Sequence, residues 1–139
     1  MTRCYKLLHP GLTSHAGYQW VVGEWKQTDG QGDLCGPGWL HAYTHPLLAA
    51  LLNPIHANIQ DPILYEAEGA GLCQTDHGLK VGYTRMRIVA PLPYRAPTTE
   101  QAVRFGLACV CQVYHAPAYH QWAARWITGE DRSARAARA

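Results

Sequence analysis

The side chains best suited to acid–base chemistry lie in one short segment of the sequence. A Gly-Pro-Gly bend at 36–38 is followed by His41, Tyr43 and His45, directly before a short apolar stretch. Imidazole, phenol and carboxylate groups are common proton-transfer groups in enzymes, and a glycine-rich bend lets the backbone approach an anionic ligand. A catalytic interpretation therefore combines a base, an orienting hydroxyl and a carboxylate: His41 or His45, Tyr43, and Glu66 or Glu68. In the structural alternative, which we favour and which assigns no catalytic residue, His41 and Tyr43 pack as strand residues and His45 is a helix cap.

Residue types that bind metal ions occur in the same part of the chain. His41 and His45 are four residues apart, as are Cys73 and His77, and Cys35 precedes them. This spacing suits zinc only where both ligands lie on one helical turn. Glycine and proline interrupt these stretches, and no Cys-x-x-Cys pair exists, so the condition for a zinc site is not met. The sequence therefore predicts no metal site, and it predicts free thiols for its five cysteines.

Aromatic and arginine residues indicate contact with another macromolecule. The chain has five Trp and eight Tyr but one Phe, and Trp, Tyr and Arg dominate the binding energy of protein interfaces. One core of this size does not need so many amphipathic rings, so we expect some at the surface. The predicted contact residues lie after the bend, on the longest strand, and in the C-terminal helix and tail: Trp39, His41, Tyr43, His45, Arg85, Arg87, Trp122, Arg125, Arg132 and Arg135.

Composition and charge exclude several classes of protein. The net charge is +2, so the whole chain offers no general attraction for nucleic acid, and direct nucleic-acid binding is not expected. The first residues lack the apolar core of a signal peptide, and no apolar run approaches the roughly 20 residues that cross a bilayer. We therefore expect a cytoplasmic protein without a membrane partner.

The elements that must position these residues follow from periodicity and from turn signals. Alternating patterns predict strands over residues 4–8, 18–25, 39–43, 63–68 and 79–89. A short helix begins at residue 44 or 45 and ends at Asn53-Pro54, a capping box at 98–101 opens a second helix, and a third runs from Pro117 to Gly129. The predicted fold is one α+β domain over residues 1–129, a mostly antiparallel sheet with a short inserted helix and two C-terminal helices packed on it. Residues 130–139 form a basic Ala/Arg-rich tail, helical or disordered.

The order of these motifs resembles that of a group of small phage and prophage proteins. The resemblance covers most of the chain and is carried by six pieces: Tyr5-Lys6-Leu7-Leu8, residues 20–25, residues 32–41, Glu66-Ala67-Glu68-Gly69, Leu79-Lys80-Val81 and residues 105–109. Some phage proteins of this kind resemble inhibitors that dock onto a host machine, such as RNA polymerase or a CRISPR effector. The resemblance therefore implies stoichiometric binding to a host protein complex, without turnover and without a cofactor.

The order of bend, strand, short helix and strand is also similar to the core of ADP-ribosyltransferase-like folds. This second likeness implies an enzyme that uses NAD, with the catalytic residues taken from His41, Tyr43, Glu66 and Glu68. The chain lacks a strand-end glutamate partnered with a His-Tyr pair, and a fold likeness does not carry chemistry with it. A self-associating accessory protein of a phage is a third interpretation. Nothing in the sequence predicts the oligomeric state.

Overall fold

The structure is a computed structural model that describes residues 1–138, and the chain divides into two compact units, of which the second begins at Pro97. The first unit contains five strands, one α-helix and a 3-10 turn at His15–Gly17. Its elements, in chain order, are β1 (Thr2–Leu8), β2 (Lys26–Gln27), β3 (Leu40–Tyr43), α1 (Pro46–His56), β4 (Ile63–Asp76) and β5 (Lys80–Leu92).

Strands β1, β4, β5 and β3 pair in a closed ring. β1 is antiparallel to both β3 and β4, and β5 is antiparallel to the same two strands. The two-residue strand β2 extends the sheet from β5. Apolar side chains on the inner face form the core together with Trp20, which comes from the segment between β1 and β2: Cys4, Leu8, Leu40, Ala42, Tyr65, Ala67, Val81, Tyr83, Met86 and Ile88. Because side chains alternate along a strand, Lys6 belongs to the same inner row as Cys4 and Leu8.

Helix α1 packs against β1 and β3. Its N-terminus is capped by His45, whose Nδ1 accepts from the backbone N–H of Leu47 at 3.1 Å. Near its other end, the buried amide of Asn53 donates to the carbonyl of Ile59 and accepts from the N–H of the same residue, both at 2.9 Å. These two bonds fix the path of the chain as it leaves the helix, and so they fix the end of α1 that carries His56.

The second unit is helical. The capping box that the sequence predicts is present, with reciprocal bonds between Thr98 and Gln101. Arg104 donates to the carbonyl of Ile127 at 2.8 Å, which ties two helices of this unit together. The helices are α2 (Thr99–Val113), α3 (Pro117–Thr128) and α4 (Ala134–Arg138), and α3 ends at a left-handed Gly129 as predicted.

The α+β class and the mostly antiparallel sheet are therefore confirmed. The strand predicted over residues 18–25 is wrong: this segment makes only single bridges to Thr13 and Ile88. Trp20 is fully buried whereas Val21 and Val22 are exposed, so the segment lacks the two-sided alternation of a strand, and it turns at Gly23 with a φ of 83°. The single domain over residues 1–129 stays a prediction.

Three predicted element ends are also wrong. Helix α1 passes through Pro54 to His56, because a proline in the last turn removes only one hydrogen bond and the chain beyond it is held by other contacts. Strand β4 does not end at residue 68 as predicted but continues through Gly69–Gly71 to Asp76. A Cβ at Gly69 would overlap the ring of Tyr83, so glycine lets that ring pack on the strand. Pro91 lies inside β5 rather than at its end.

Candidate functional site

A cavity of about 760 Å³ lies in the first unit, and its walls come from β1, the loop that follows it, β3, α1 and the start of β5. Two lysines and four histidines line it, and among the described lining residues there is no aspartate or glutamate. We call it the cationic cavity and define it by five of its side chains: Lys6, His41, Tyr43, His56 and Lys80.

Lys6 is a lysine on the inner face of β1. It is 9% exposed, and its Nζ donates to the carbonyl of His41 at 2.6 Å and lies 5.1 Å from the ring centroid of Trp20. No carboxylate of the described residues forms an ion pair with it. Burial removes water from the ammonium and lowers the pKa of Lys6 to about 8. The protonated and neutral forms therefore have equal free energies near pH 8, and about a tenth of the amine is neutral at pH 7.

Lys80 is the second buried lysine of the cavity, and it is also 9% exposed. It is the first residue of β5 and lies opposite Tyr43 of β3 in the sheet register. Its Nζ donates to the exposed thiol of Cys35 at 3.1 Å. A thiol sulfur is a weak acceptor, so most of the hydrogen-bonding capacity of this ammonium is left for a ligand.

His41 is held as a neutral imidazole. Burial, and then the nearby charges of Lys80 and Lys6, lower the pKa of His41, and a hydrogen bond to the backbone only partly opposes them. Its Nε2 faces the carbonyl of Leu34. A carbonyl only accepts hydrogen bonds, so the single proton of the neutral ring lies on Nε2. The lone pair of Nδ1 is then available to a ligand.

Tyr43 and His56 form a second neutral pair. The Tyr43 hydroxyl lies 2.8 Å from Nδ1 of His56, and the two rings are stacked with centroids 5.9 Å apart. Burial raises the pKa of Tyr43 to about 12, whereas burial and the charge of Lys80 lower the pKa of His56. The phenol therefore donates to the imidazole at neutral pH, and the proton of the exposed His56 ring lies on Nε2.

The electrostatics of the cationic cavity favour an anion. Two buried ammonium groups face neutral hydrogen-bonding groups, and a buried charge without a counter-charge is costly. An entering phosphate or carboxylate supplies that counter-charge and accepts several hydrogen bonds at once. The volume of the cavity lies within the range of small-molecule sites.

The catalytic set considered from the sequence is only half assembled. His41 and Tyr43 both line the cavity, but the two carboxylates do not. Glu66 is bound by Arg3 at 2.9 Å, and Glu68 is bound by Arg87 at 2.6 Å. The remaining candidate, His45, caps α1, as the structural alternative proposed.

The metal ligands considered from the sequence are dispersed. Cys73 and His77 are exposed residues of the β4–β5 hairpin, whereas Cys35 and His41 line the cavity. Within residues 1–138, no group of three His, Cys, Asp or Glu side chains is arranged to hold a metal ion.

The predicted contact residues fall into three environments. Trp39 and Tyr43 are buried, so their rings are not on the surface, and a contact role for them stays a prediction without surface exposure to support it. Arg85 and Arg87 instead lie 5.0 and 5.1 Å from the ring centroid of Trp25, which sequence reasoning did not select. In the second unit, Arg125, Arg132 and Arg135 are exposed and Trp122 is half-buried. Arg132 is engaged by Glu100 at 3.2 Å and lies over the ring of Trp126.

Sequence reasoning also missed Lys6, His56 and Lys80. The signal for Lys6 was present, because a lysine at the period-two position between Cys4 and Leu8 belongs on the apolar face of its strand. No local signal existed for His56, because its partner Tyr43 is 13 residues away and only the packing of α1 brings the two together.

Fold and site together define a small α+β domain with a cationic cavity. Residues 2–98 match the model of a family described as a domain of unknown function, DUF7666, and the chain belongs to this family. Every lining residue of the cationic cavity lies within the matched span. No curated protein and no solved structure matches the chain. Among the described residues, no helix has the length and apolarity required to cross a bilayer.

Proposed function

We propose that this protein is a binding protein whose cationic cavity takes a small organic anion that carries a phosphate or carboxylate group. The observation that carries the proposal is that Lys6 and Lys80, each about nine-tenths buried, line one cavity with no described aspartate or glutamate. The Nε2–H group of His56 is on the same walls and can donate to a remaining oxygen of such a ligand.

Relief of an uncompensated charge supplies part of the binding free energy. The lowered pKa of Lys6 means that the folded protein pays for holding its ammonium away from water. An oxyanion in the cavity stabilises that ammonium and raises the pKa of Lys6 again. Binding therefore takes up a fraction of a proton near pH 8, and the buffer dependence of the binding heat measures this uptake.

Isothermal titration calorimetry with inorganic phosphate and with acetate tests the proposal. We expect one site per chain, and we expect Lys80→Met to weaken binding at least tenfold, because a charge-assisted hydrogen bond contributes about 1.5–3 kcal/mol. Lys26→Met is the matched control, since that lysine lies outside the cavity. Absence of binding, or equal weakening by both substitutions, contradicts the proposal.

A second proposal is stoichiometric binding to a macromolecular complex, which the resemblance to phage inhibitors implies. The observation that favours it is the surface formed by Trp25, Arg85 and Arg87, which we call the Trp25 face. Arg85 is exposed and has no carboxylate partner among the described residues. A guanidinium held on an aromatic ring suits an acidic segment of a partner such as RNA polymerase or a CRISPR effector.

Affinity capture from host lysate with the wild type and with Trp25→Ala tests this second proposal, with Arg95→Ala as an exposed control. We expect one copy per target complex, an unchanged target mass, and loss of capture only for Trp25→Ala. Capture of no complex, or equal capture by all three proteins, contradicts it. ADP-ribosyl transfer from NAD receives less support, since Glu66 and Glu68 are held by arginines outside the cavity.

A further inference from the structure

We propose that Lys6 is a nucleophilic amine, and that the ligand of the cationic cavity is an aldehyde or ketone bearing a carboxylate or phosphate group, with which Nζ condenses to an imine. This inference rests on the proposed function, because it names the chemical class of the ligand for the same cavity. It adds a covalent step that anion binding alone does not require.

The use of lysine in this chain supports a chemical role. The chain has only three lysines, at positions 6, 26 and 80, among its 12 basic Lys and Arg residues. Two of the three are buried at the cationic cavity. Arginine supplies a permanent charge but no nucleophile, whereas a lysine amine becomes a nucleophile when it loses its proton. Arginine, which is the more frequent basic residue of this chain, would serve a cavity that needed only positive charge equally well.

The surroundings of Lys6 favour the neutral amine. The side chain is buried beside the ring of Trp20, has no carboxylate partner among the described residues, and shares the cavity with a second ammonium. Desolvation in a hydrophobic pocket is one of the conditions that activate lysine nucleophiles, and burial is what lowers the pKa of Lys6. Before a ligand binds, the pKa of Lys6 is about 8, so about a tenth of the amine is neutral at pH 7, roughly two hundred times the fraction for an ordinary lysine. A carbonyl ligand whose anionic group lies on Lys80 rather than on Lys6 leaves this neutral fraction available for attack.

Two neighbours complete the chemistry. Lys80 binds the anionic group, and neutral His41 offers the lone pair of Nδ1 for proton transfer. The neutral amine attacks the carbonyl carbon, the C–N bond forms, and one proton moves from nitrogen to the carbonyl oxygen, which becomes a hydroxyl. The second proton of the nitrogen then passes through Nδ1 of His41 to that hydroxyl, which leaves as water while the C=N bond forms. The step consumes no oxidant or reductant, and it needs only the carbonyl compound.

Reductive trapping with glyoxylate and cyanoborohydride tests the inference at pH 7. Glyoxylate combines an aldehyde with a carboxylate, and cyanoborohydride adds hydride to the imine, which leaves a stable carboxymethyl group on the lysine. Peptide mass mapping then compares Lys6 with Lys26 in the same sample. Lys26 is an internal reference, because it is not at the cavity and its hydrogen bond with Glu24 raises its pKa.

We expect glyoxylate to label Lys6 at least ten times faster than Lys26. Acetaldehyde should label the two lysines without this preference, because it has no anionic group. Glycolate, which has the anionic group but no aldehyde carbonyl to react, should protect Lys6 from labelling. Lys6→Arg, which has no amine at position 6, should remove the fast-labelled peptide and leave the slow labelling of Lys26 unchanged. Labelling of Lys26 at the same rate as Lys6, or faster, overturns the inference. If glycolate binds nevertheless, the proposed anion site stands without the imine; if neither phosphate nor glycolate binds the wild type, the proposed function itself fails.

Discussion

Replacement of Lys6 by methionine should stabilise the folded protein at neutral pH. The pKa of this lysine falls from 10.5 to about 8 on burial, which corresponds to about 3 kcal/mol of destabilisation by the charged form. Methionine has a similar length and no charge to desolvate. It forfeits the hydrogen bond to the carbonyl of His41, which is worth about 1 kcal/mol. We therefore expect a net gain of about 2 kcal/mol in the free energy of unfolding at pH 7.

The pH dependence has a defined sign. Because the pKa of Lys6 is lower in the folded chain than in the unfolded chain, the unfolded chain holds more protons between about pH 8 and pH 10.5. The stability of the wild type therefore rises relative to that of Lys6→Met across this window. The advantage of the variant is complete below about pH 7 and is progressively lost as the pH rises.

Urea unfolding followed by tryptophan fluorescence at about pH 6.5, 8 and 9.5 measures the difference in free energy between the two proteins. Lys26→Met is the control, because it removes a half-buried lysine that is paired with Glu24 outside the cavity, and its difference from the wild type should stay small over the lower half of this range. The reasoning is refuted if Lys6→Met is less stable than the wild type at pH 7. It is refuted equally if the advantage of the variant is the same at pH 6.5 and at pH 9.5.

Three further predictions concern the supports of the site and its titration. Asn53→Ala should lower the free energy of unfolding by about 2–4 kcal/mol, because it leaves the buried N–H and carbonyl of Ile59 without partners; urea unfolding measures this loss, and a loss below about 1 kcal/mol contradicts it. Gly69→Ala should destabilise the fold by several kcal/mol, because its Cβ would overlap the Tyr83 ring, whereas the Cβ of Gly106→Ala meets open space inside a helix and should stabilise it by up to about 1 kcal/mol. Thermal unfolding compares the two variants, and equal shifts in Tm would be inconsistent with the packing of Tyr83 on Gly69. Phosphate affinity should fall as the pH rises through about 8, because Lys6 loses its proton there. Calorimetry from pH 7 to 9.5 measures the affinity, and a constant affinity would show that the Lys6 ammonium does not bind the anion.

Local chemistry was readable from the sequence where neighbouring residues decide the structure. The cap at His45 and the capping box at Thr98 were predicted from a few adjacent residues, and both are present. The conformation of residues 18–25 was not predicted correctly, since the burial of Trp20 depends on a core that is assembled from distant strands. The same holds for the site. His41 and Tyr43 were selected by type, but the ring closure that brings Lys80 beside them is a long-range pairing that no local pattern encodes.

The preference for a binding role over the catalytic alternative also rests on long-range pairing. Glu66 and Glu68 alternate with apolar residues in the sequence, which is compatible with either a free carboxylate or a cross-strand ion pair. The sheet register decides between the two, because it sets Glu68 directly opposite Arg87. Arg3 on β1 lies opposite Glu68 in the register and engages Glu66 diagonally, from the other side of β4.

A titration of ¹⁵N-labelled protein with inorganic phosphate, followed by amide chemical shifts, tests the cationic cavity most directly. It reports every site at once, including the arginines outside the cavity. We predict shift changes that saturate at one equivalent and are concentrated at Lys6, His41, His56 and Lys80. Changes confined to the Trp25 face or to the C-terminal arginines, or changes that never saturate, would contradict the existence of the proposed anion site.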